Sequence, residues 1–347
     1  MNPEASSKAL ASRSNGIRRL TLIPVLAPGL FLALIIAAAS RYLSATMPMP
    51  AVFFALAIGV AVRSILRDGY AREGIDFGAR VVLRFGVALL GIQISLTQFS
   101  QIGLGAFLMT IGGLLVTLTI GVLIGRLLGL SRTCAFISAA AVAICGASAA
   151  LAVAAALPES ERKEDATASV VATVTVLGTI GMLLYPAIAR QMGLDAVATG
   201  VFLGGTLHEV VQAVGAGYAV SEKVGETATI IKLVRVACLV PVVLAAGMLF
   251  RRSPGGPLRA RIYLPAFLLA FIALAALNSL GLVAPEATLL GSEVSRWCLL
   301  VAIASLGMKT SFATMRASGL KQVSALTLTT IFLAGSVLAA LALLTGH

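Results

Sequence analysis

Charged side chains are scarce in this sequence: Asp, Glu, Lys and Arg make up 12% of its 347 residues, about half the share of a soluble globular chain. With 59% hydrophobic residues and a mean hydropathy of +1.01, that shortage excludes a water-soluble domain and points to an integral membrane protein. Alternating polar and apolar positions are missing too. The apolar runs are unbroken and near the roughly twenty residues that a helix needs to cross a bilayer, which excludes a membrane β-barrel. The four cysteines, Cys134, Cys145, Cys238 and Cys298, all lie in apolar runs and form no C-x-x-C pair. A structural disulfide or zinc site is therefore not expected, and buried thiols are the default. No P-loop, H-E-x-x-H motif or dinucleotide glycine fingerprint occurs, so neither a cofactor nor ATP-driven transport within this chain is expected.

What charge there is leans basic, with 26 Lys and Arg against 14 Asp and Glu. A soluble domain of net charge +12 would suggest nucleic acid. Here the basic residues occupy short gaps between apolar runs and form no dense patch, so no nucleic-acid partner is expected. Eleven apolar spans can be drawn, at 21–40, 48–66, 80–97, 102–129, 133–157, 166–189, 197–218, 227–250, 262–280, 288–308 and 318–345. With the N-terminus inside, nineteen of the 26 basic residues fall in cytoplasmic segments, Arg67, Arg251, Arg252, Arg259 and Arg261 among them. The outer segments hold Arg41, Arg162, Lys163 and Lys223, and gather acids such as Glu159, Glu161, Glu164, Asp165, Glu222 and Glu226. The positive-inside rule then places the N-terminus in the cytoplasm and His347 outside. Proline and glycine punctuate the spans at Pro48-Met49-Pro50, at Pro158 and at Ser253-Pro254-Gly255-Gly256-Pro257. Residues 1–16 read as a disordered cytoplasmic segment, and 17–347 as a single transmembrane domain.

The span at 133–157 is interrupted at mid-depth by Cys145-Gly146-Ala147-Ser148-Ala149. Small and polar residues at membrane depth are tolerated where other protein or a water-filled cavity meets the freed backbone. They also serve close helix packing, which is the plainer explanation. Span 197–218 is interrupted by Gly204-Gly205-Thr206-Leu207-His208-Glu209-Val210-Val211-Gln212. An ionisable pair inside a membrane marks a functional site by default. His208 and Gln212 share a helical face while Glu209 points elsewhere. Both spans therefore read as discontinuous helices. The next span carries Lys232 and Arg235 three residues apart, which calls for an acid, backbone carbonyls or a bound anion as partner, unless both snorkel to the headgroups. Glu293 lies near the outer end of its span, so Glu209 is the sole acid deep within one, and one positive charge beside it is in surplus, which favours an anionic ligand.

An enzyme is the remote alternative: Ser148 and His208 could form a nucleophile and base of the intramembrane serine protease type. The G-x-S-x pattern is weak, and no orienting third group is visible. A transporter is favoured by an internal repeat. Leu90-Gly91-Ile92-Gln93-Ile94-Ser95, continuing to Gly103-Leu104, matches Leu306-Gly307-Met308-Lys309-Thr310-Ser311, continuing to Gly319-Leu320, at a constant offset of 216. Seven spans separate the copies, so they are inverted, as in many secondary transporters. The repeat regions are drawn at about 48–189 and 197–345. A second echo pairs Asp165-Ala166-Thr167-Ala168 with Glu226-Thr227-Ala228-Thr229, but those units are parallel and outside the inverted scheme.

On Leu89-Leu90-Gly91-Ile92 with Ser95, Cys145-Gly146-Ala147-Ser148-Ala149, Gly205-Thr206-Leu207-His208-Glu209-Val210-Val211-Gln212-Ala213 and Lys232-Leu233-Val234-Arg235, the chain resembles the YeiH-type sulfate exporter family of bacterial inner membranes. The likeness covers nearly the whole chain. It implies the architecture of the cation/proton antiporter and bile-acid symporter superfamily: inverted repeats, a panel domain, and a core with two discontinuous helices crossing near the midplane. The expectation is an all-α polytopic membrane protein of about 11 transmembrane helices that exports a small anion, sulfate, sulfite or an organosulfonate, by alternating access. Cys145, Gly146, Ser148, Gly205, Thr206, His208, Gln212, Lys232 and Arg235 are the candidate substrate-binding residues. Half-helix N-termini near residues 146–148 and 204–206 would face the anion, Lys232 and Arg235 would neutralise it, and His208 or Glu209 would carry a coupled proton. The alternative is a cation/proton antiporter with Glu209 as its ion site. The expected partners are the small anion and the lipid bilayer, and a homodimer is compatible with the chain.

Overall fold

The computed structural model of the protein describes residues 3–47, 49–66, 69, 71–157, 163–250 and 265–345. Outside them lie Pro48, Arg67, Pro158, Glu159, Glu161, Arg162, residues 251–264 with their prolines and arginines, and His347. Among the described residues there is no strand.

The helices follow local signals. α1 (Pro3–Thr46) begins within the 1–16 segment that the sequence reads as disordered. α2 (Ala51–Arg63) starts after Pro50, whose fixed φ suits a helix entrance. α3 (Arg72–Phe77) passes through a π-helical turn, Gly78–Val82, into α4 (Leu83–Leu90), which ends in a 3₁₀ turn at Gly91–Gln93. α5 (Leu96–Leu127) opens on a capping box of Ser95 and Gln98. α6 (Arg132–Ala143) is capped by Ser131, and its apolar run resumes as α7 (Ala147–Ala156). α8 (Lys163–Gln191) carries Glu164 and Asp165 in its first turn, where acids complement the helix dipole. α9 (Ala196–Thr206), capped by Asp195, is followed by α10 (Val210–Val220) and by α11 (Glu222–Ala237), capped by Ser221. Pro241 has no N–H for the Ala237 carbonyl, so the helix yields at Cys238 and continues as α12 (Leu239–Leu249). α13 (Ala266–Ser279), α14 (Pro285–Lys309), α15 (Phe312–Ala317) and α16 (Leu320–Thr345) complete the chain.

Among the described residues, six helical segments are long and apolar enough to cross a membrane: Val25–Thr46, Ser100–Leu127, Lys163–Gln191, Glu222–Leu249, Pro285–Lys309 and Leu320–Leu343. The shorter apolar helices include the two halves of each interrupted span, α6 with α7 and α9 with α10. The chain is thus an all-α polytopic membrane protein with discontinuous helices.

The chain forms two compact units. One holds residues up to Gly86 together with Arg296–Lys309; the other holds Val87–Ser295 and the residues from Thr310 on. Within the first, a Cβ built on Gly307 would lie 2.6 Å from the Leu56 carbonyl oxygen of α2. Within the second, a Cβ on Gly91 would lie 2.3 Å from the Phe271 carbonyl oxygen of α13. Gly91 and Gly307 are the repeat positions 216 apart, and Phe271 lies 216 residues after Ala55, the neighbour of Leu56. The copies also break alike: Gly103 has φ 78° and Gly319 φ 82°, a conformation that favours glycine. Gly91→Ala and Gly307→Ala are each expected to push a helix off its neighbour and to cost roughly 1–3 kcal/mol. Thermal unfolding in detergent should show both midpoints lowered, and a wild-type midpoint in either would remove that contact from the account of stability.

Candidate functional site

Two broken helices meet at their gaps. α6 stops at Ala143, Ile144 turns the chain, and Gly146 (φ 62°, ψ −127°) restarts it as α7. A side chain is strained at that φ, so glycine is needed there. α9 stops at Thr206, and Leu207 and Glu209 are extended before α10 begins. A Cβ on Gly146 would lie 3.1 Å from Glu209 Cγ and 3.5 Å from His208 Cβ. Two carboxyl ends and two amino ends are therefore gathered at one place, all within the second unit.

Lys232 and Arg235 on α11 serve the carboxyl ends. Both are buried, at 0% and 1% exposure, so neither snorkels to a headgroup. Lys232 Nζ donates to the Ile144 carbonyl at 3.2 Å and to that of Leu207. Arg235 Nε donates to Ala143 O at 3.0 Å, one terminal nitrogen to Val142 O at 2.8 Å and to Ala143 O, and the other to Gly205 O. One α11 face thus holds the last carbonyls of α6 and α9, groups that have no partner inside their own helices. Arg235 also borders a cavity with Thr110, Leu114, Val201, Leu333 and Val337 that has room for one water and is too small for an oxyanion.

This corrects the sequence reading at one point. Residues 204–206 form the carboxyl end of α9, not a half-helix N-terminus. They offer carbonyls, and that of Gly205 is held by Arg235. The Thr206 hydroxyl donates back to Phe202 O at 2.6 Å, within its own helix.

The amino ends are treated differently. At α10, Glu209 is the N-cap and forms a capping box with Gln212. Gln212, fully buried, accepts from the Glu209 N–H at 3.0 Å and donates to Thr175 O of α8 at 3.1 Å. The Thr175 hydroxyl lies 3.0 Å from Glu209 Oε1 and 2.9 Å from Val171 O. At α7, the N-cap is Gly146, which has no side chain to offer. The buried Cys145 thiol sits on the Ala149 N–H, while Ser148 in the first turn is exposed and Ala147 half-buried.

His208 is buried, its Nε2 3.0 Å from Thr330 Oγ1 on α16. That hydroxyl donates its one hydrogen to Leu326 O at 2.8 Å, so Nε2 is the donor to Thr330. Nδ1 is buried and has no hydrogen-bond partner among the described residues. Neither ring nitrogen is bonded to Ser148, so the Ser148 and His208 dyad is not formed.

The structure thus gathers Cys145, Gly146, His208, Glu209, Gln212, Lys232 and Arg235 at one crossing, with Ser148 at its open edge. Sequence reasoning missed Thr175, Gly178 and Thr330. A Cβ on Gly178 would lie 2.0 Å from Gln212 Oε1, so this glycine makes room for the α10 cap. The signal for Thr175 was present as Thr167, Thr173, Thr175 and Thr179 recurring along an otherwise apolar α8.

The family described as Conserved hypothetical protein 698 matches residues 28–326. UPF0324 membrane protein CT0845 of Chlorobaculum tepidum is 44% identical, across 90% of this chain and 88% of its own. UPF0324 membrane protein RB0971 of Rhizobium meliloti is 43% identical, across 92% of this chain and 93% of its own. UPF0324 membrane protein TauZ of Paracoccus pantotrophus is 42% identical, across 91% of this chain and 95% of its own. No solved structure matches the chain.

Proposed function

Because this chain belongs to the family described as Conserved hypothetical protein 698, whose curated relatives are named UPF0324 membrane proteins, we propose that it is a secondary transporter exporting a small anion: sulfate, sulfite or an organosulfonate. The observation that carries this reading is the charge of the crossing. Two basic side chains, Lys232 and Arg235, are buried there beside one acidic side chain, Glu209. The two helix amino ends and two carboxyl ends offset one another, so the crossing keeps one basic side chain more than acidic ones. The anion sits at the amino end of α7, where Gly146 leaves backbone N–H groups open and Ser148 adds a hydroxyl. Lys232 and Arg235 act on it through the field and through the helix ends they hold, not by direct contact.

Residues 17–347 work as one transporter domain in the bacterial inner membrane, N-terminus inside and C-terminus outside, with alternating access between the repeats at about 48–189 and 197–345. His208 or Glu209 carries the coupled proton. A cation/proton antiporter with Glu209 as its ion site is supported less well, since the cation would lie beside Lys232 and Arg235.

The test is counterflow of radiolabelled sulfite and sulfate in proteoliposomes, with Gly146→Ala run alongside. Saturable exchange by the wild type and a loss of about tenfold or more in the variant are expected. No exchange of either anion, or full exchange by Gly146→Ala, would overturn the assignment.

A further inference from the structure

The anion-transport reading leaves open what Glu209 does when the site is filled, and the geometry around it gives an answer. A Cβ on Gly146 would lie 3.1 Å from Glu209 Cγ, so an anion at the amino end of α7 lies against this carboxyl group. Repulsion between two negative charges is strong away from water. Beside it, His208, 1% exposed, has its Cβ against Gly146, and its Nδ1 has no hydrogen-bond partner among the described residues. That nitrogen is a ready acceptor for a ligand that carries a hydrogen, or for a water that accompanies it.

The other groups around Glu209 are fixed. Lys232 from α11 and Cys145 from the α6–α7 link interact with it electrostatically. Arg235, one turn further along α11, is held by Val142, Ala143 and Gly205. α8 contributes the Thr175 hydroxyl, and α9 has no ionisable residue. Thr175 suits two states of its neighbour. Its single hydrogen can go to Glu209 Oε1 when the group is a carboxylate; when the group is a carboxylic acid, the hydrogen can go to Val171 O and the hydroxyl accepts instead. The two acceptors are almost equally near, so the exchange needs only a rotation of the hydroxyl.

We propose that Glu209 matches its charge to that of the substrate: a monoanion is carried with Glu209 ionised, and a dianion only with Glu209 protonated. One proton then enters from the loading face with each dianion and leaves at the release face, and the net charge of the filled crossing is the same for both classes. Monoanions move without that proton. This rests on the anion-transport reading and adds the coupling rule to it.

The experiment compares net uptake of sulfate with net uptake of methanesulfonate into proteoliposomes that start without either anion, following the anion with radiolabel and proton movement with an internal pH dye. In the wild type, sulfate should move protons, and methanesulfonate about tenfold fewer per anion. In Glu209→Gln, the neutral isostere of the protonated group, the number of protons moved per sulfate should fall about tenfold or more. Thr175→Val keeps the shape and deletes the hydroxyl. It should move the decline of sulfate exchange with rising pH upward by about one unit, because a donor to the ionised form is lost. Wild-type proton movement in Glu209→Gln, proton movement equal for the two anions, or an unmoved pH profile in Thr175→Val would overturn the coupling rule alone. Failure of the wild type to exchange either anion would instead overturn the transport reading, and the rule with it.

Discussion

Replacing Arg235 with alanine is expected to prevent the protein from folding, not merely to silence it. The guanidinium holds the carbonyls of Val142 and Ala143 at the end of α6 and that of Gly205 near the end of α9. Removing it leaves three buried acceptors without their donor, at roughly 1–3 kcal/mol each. The total is comparable with the roughly 5–15 kcal/mol by which proteins are stable. Two helix carboxyl ends also lose the cation that complements their dipoles. Arg235→Lys should lie between, since an ammonium keeps the charge but cannot reproduce the planar fork that reaches two helices at once. The check is size-exclusion behaviour and thermal unfolding in detergent. A monodisperse Arg235→Ala with a midpoint within about 2 °C of wild type would mean that these contacts do not hold the crossing together. A stable but inactive variant would return Arg235 to the role of direct substrate ligand.

Gly178→Ala should do the reverse, sparing the fold and disabling the site. Its Cβ would lie 2.0 Å from Gln212 Oε1 and 2.7 Å from both Cδ and Nε2. Gln212 is fully buried, and its amide is held at both ends, by the Glu209 N–H and the Thr175 carbonyl. It must leave the Glu209 N–H or the Thr175 carbonyl, and either loss frees the N-cap of α10 to shift. Overpacking of this kind costs roughly 1–3 kcal/mol, which a folded membrane protein survives, whereas transport should fall about tenfold or more. Gly181→Ala, one turn away, is the control. Its nearest neighbours are Leu207 Cδ2 at 3.1 Å and the Tyr185 ring at 3.2 Å, side chains that can give by a few tenths of an ångström. Equal transport by wild type and Gly178→Ala would show that the Gln212 bracket is not needed for function.

These expectations depend on contacts that no residue pattern announces. Lys232 and Arg235 stood out in the sequence because a charge in an apolar span needs a partner, and the list of partners included carbonyls. Every residue has a carbonyl, so nothing in the letters could say that those of Val142, Ala143, Ile144, Gly205 and Leu207 would be the ones. The same blindness reversed the polarity of residues 204–206. Their glycines marked a break in the helix, but whether a break leaves N–H groups or carbonyls facing the site depends on which side of it the helix lies. Thr175 and Thr330 were missed for a related reason. Threonine is common in transmembrane helices, and these two matter only through the Glu209 and His208 side chains of other elements.

The sequence by itself determined the membrane class, the places where helices break, and the paired copies at residues 90–104 and 306–320. Each of these follows from local physics. An apolar run of bilayer length has no other stable home, and a backbone at positive φ, as at Gly103, Gly146 and Gly319, favours glycine at that position. Tertiary structure alone decided which helix end faces which side chain: the basic pair on the carboxyl ends of α6 and α9, the Glu209 carboxyl group on the amino end of α10, and an α7 whose N-cap Gly146 offers no side chain. The pairings of Lys232 and Arg235 join residues from 25 to 93 positions apart in the chain. Backbone dipoles and burial, which belong to the fold and not to any single residue, set their charge balance.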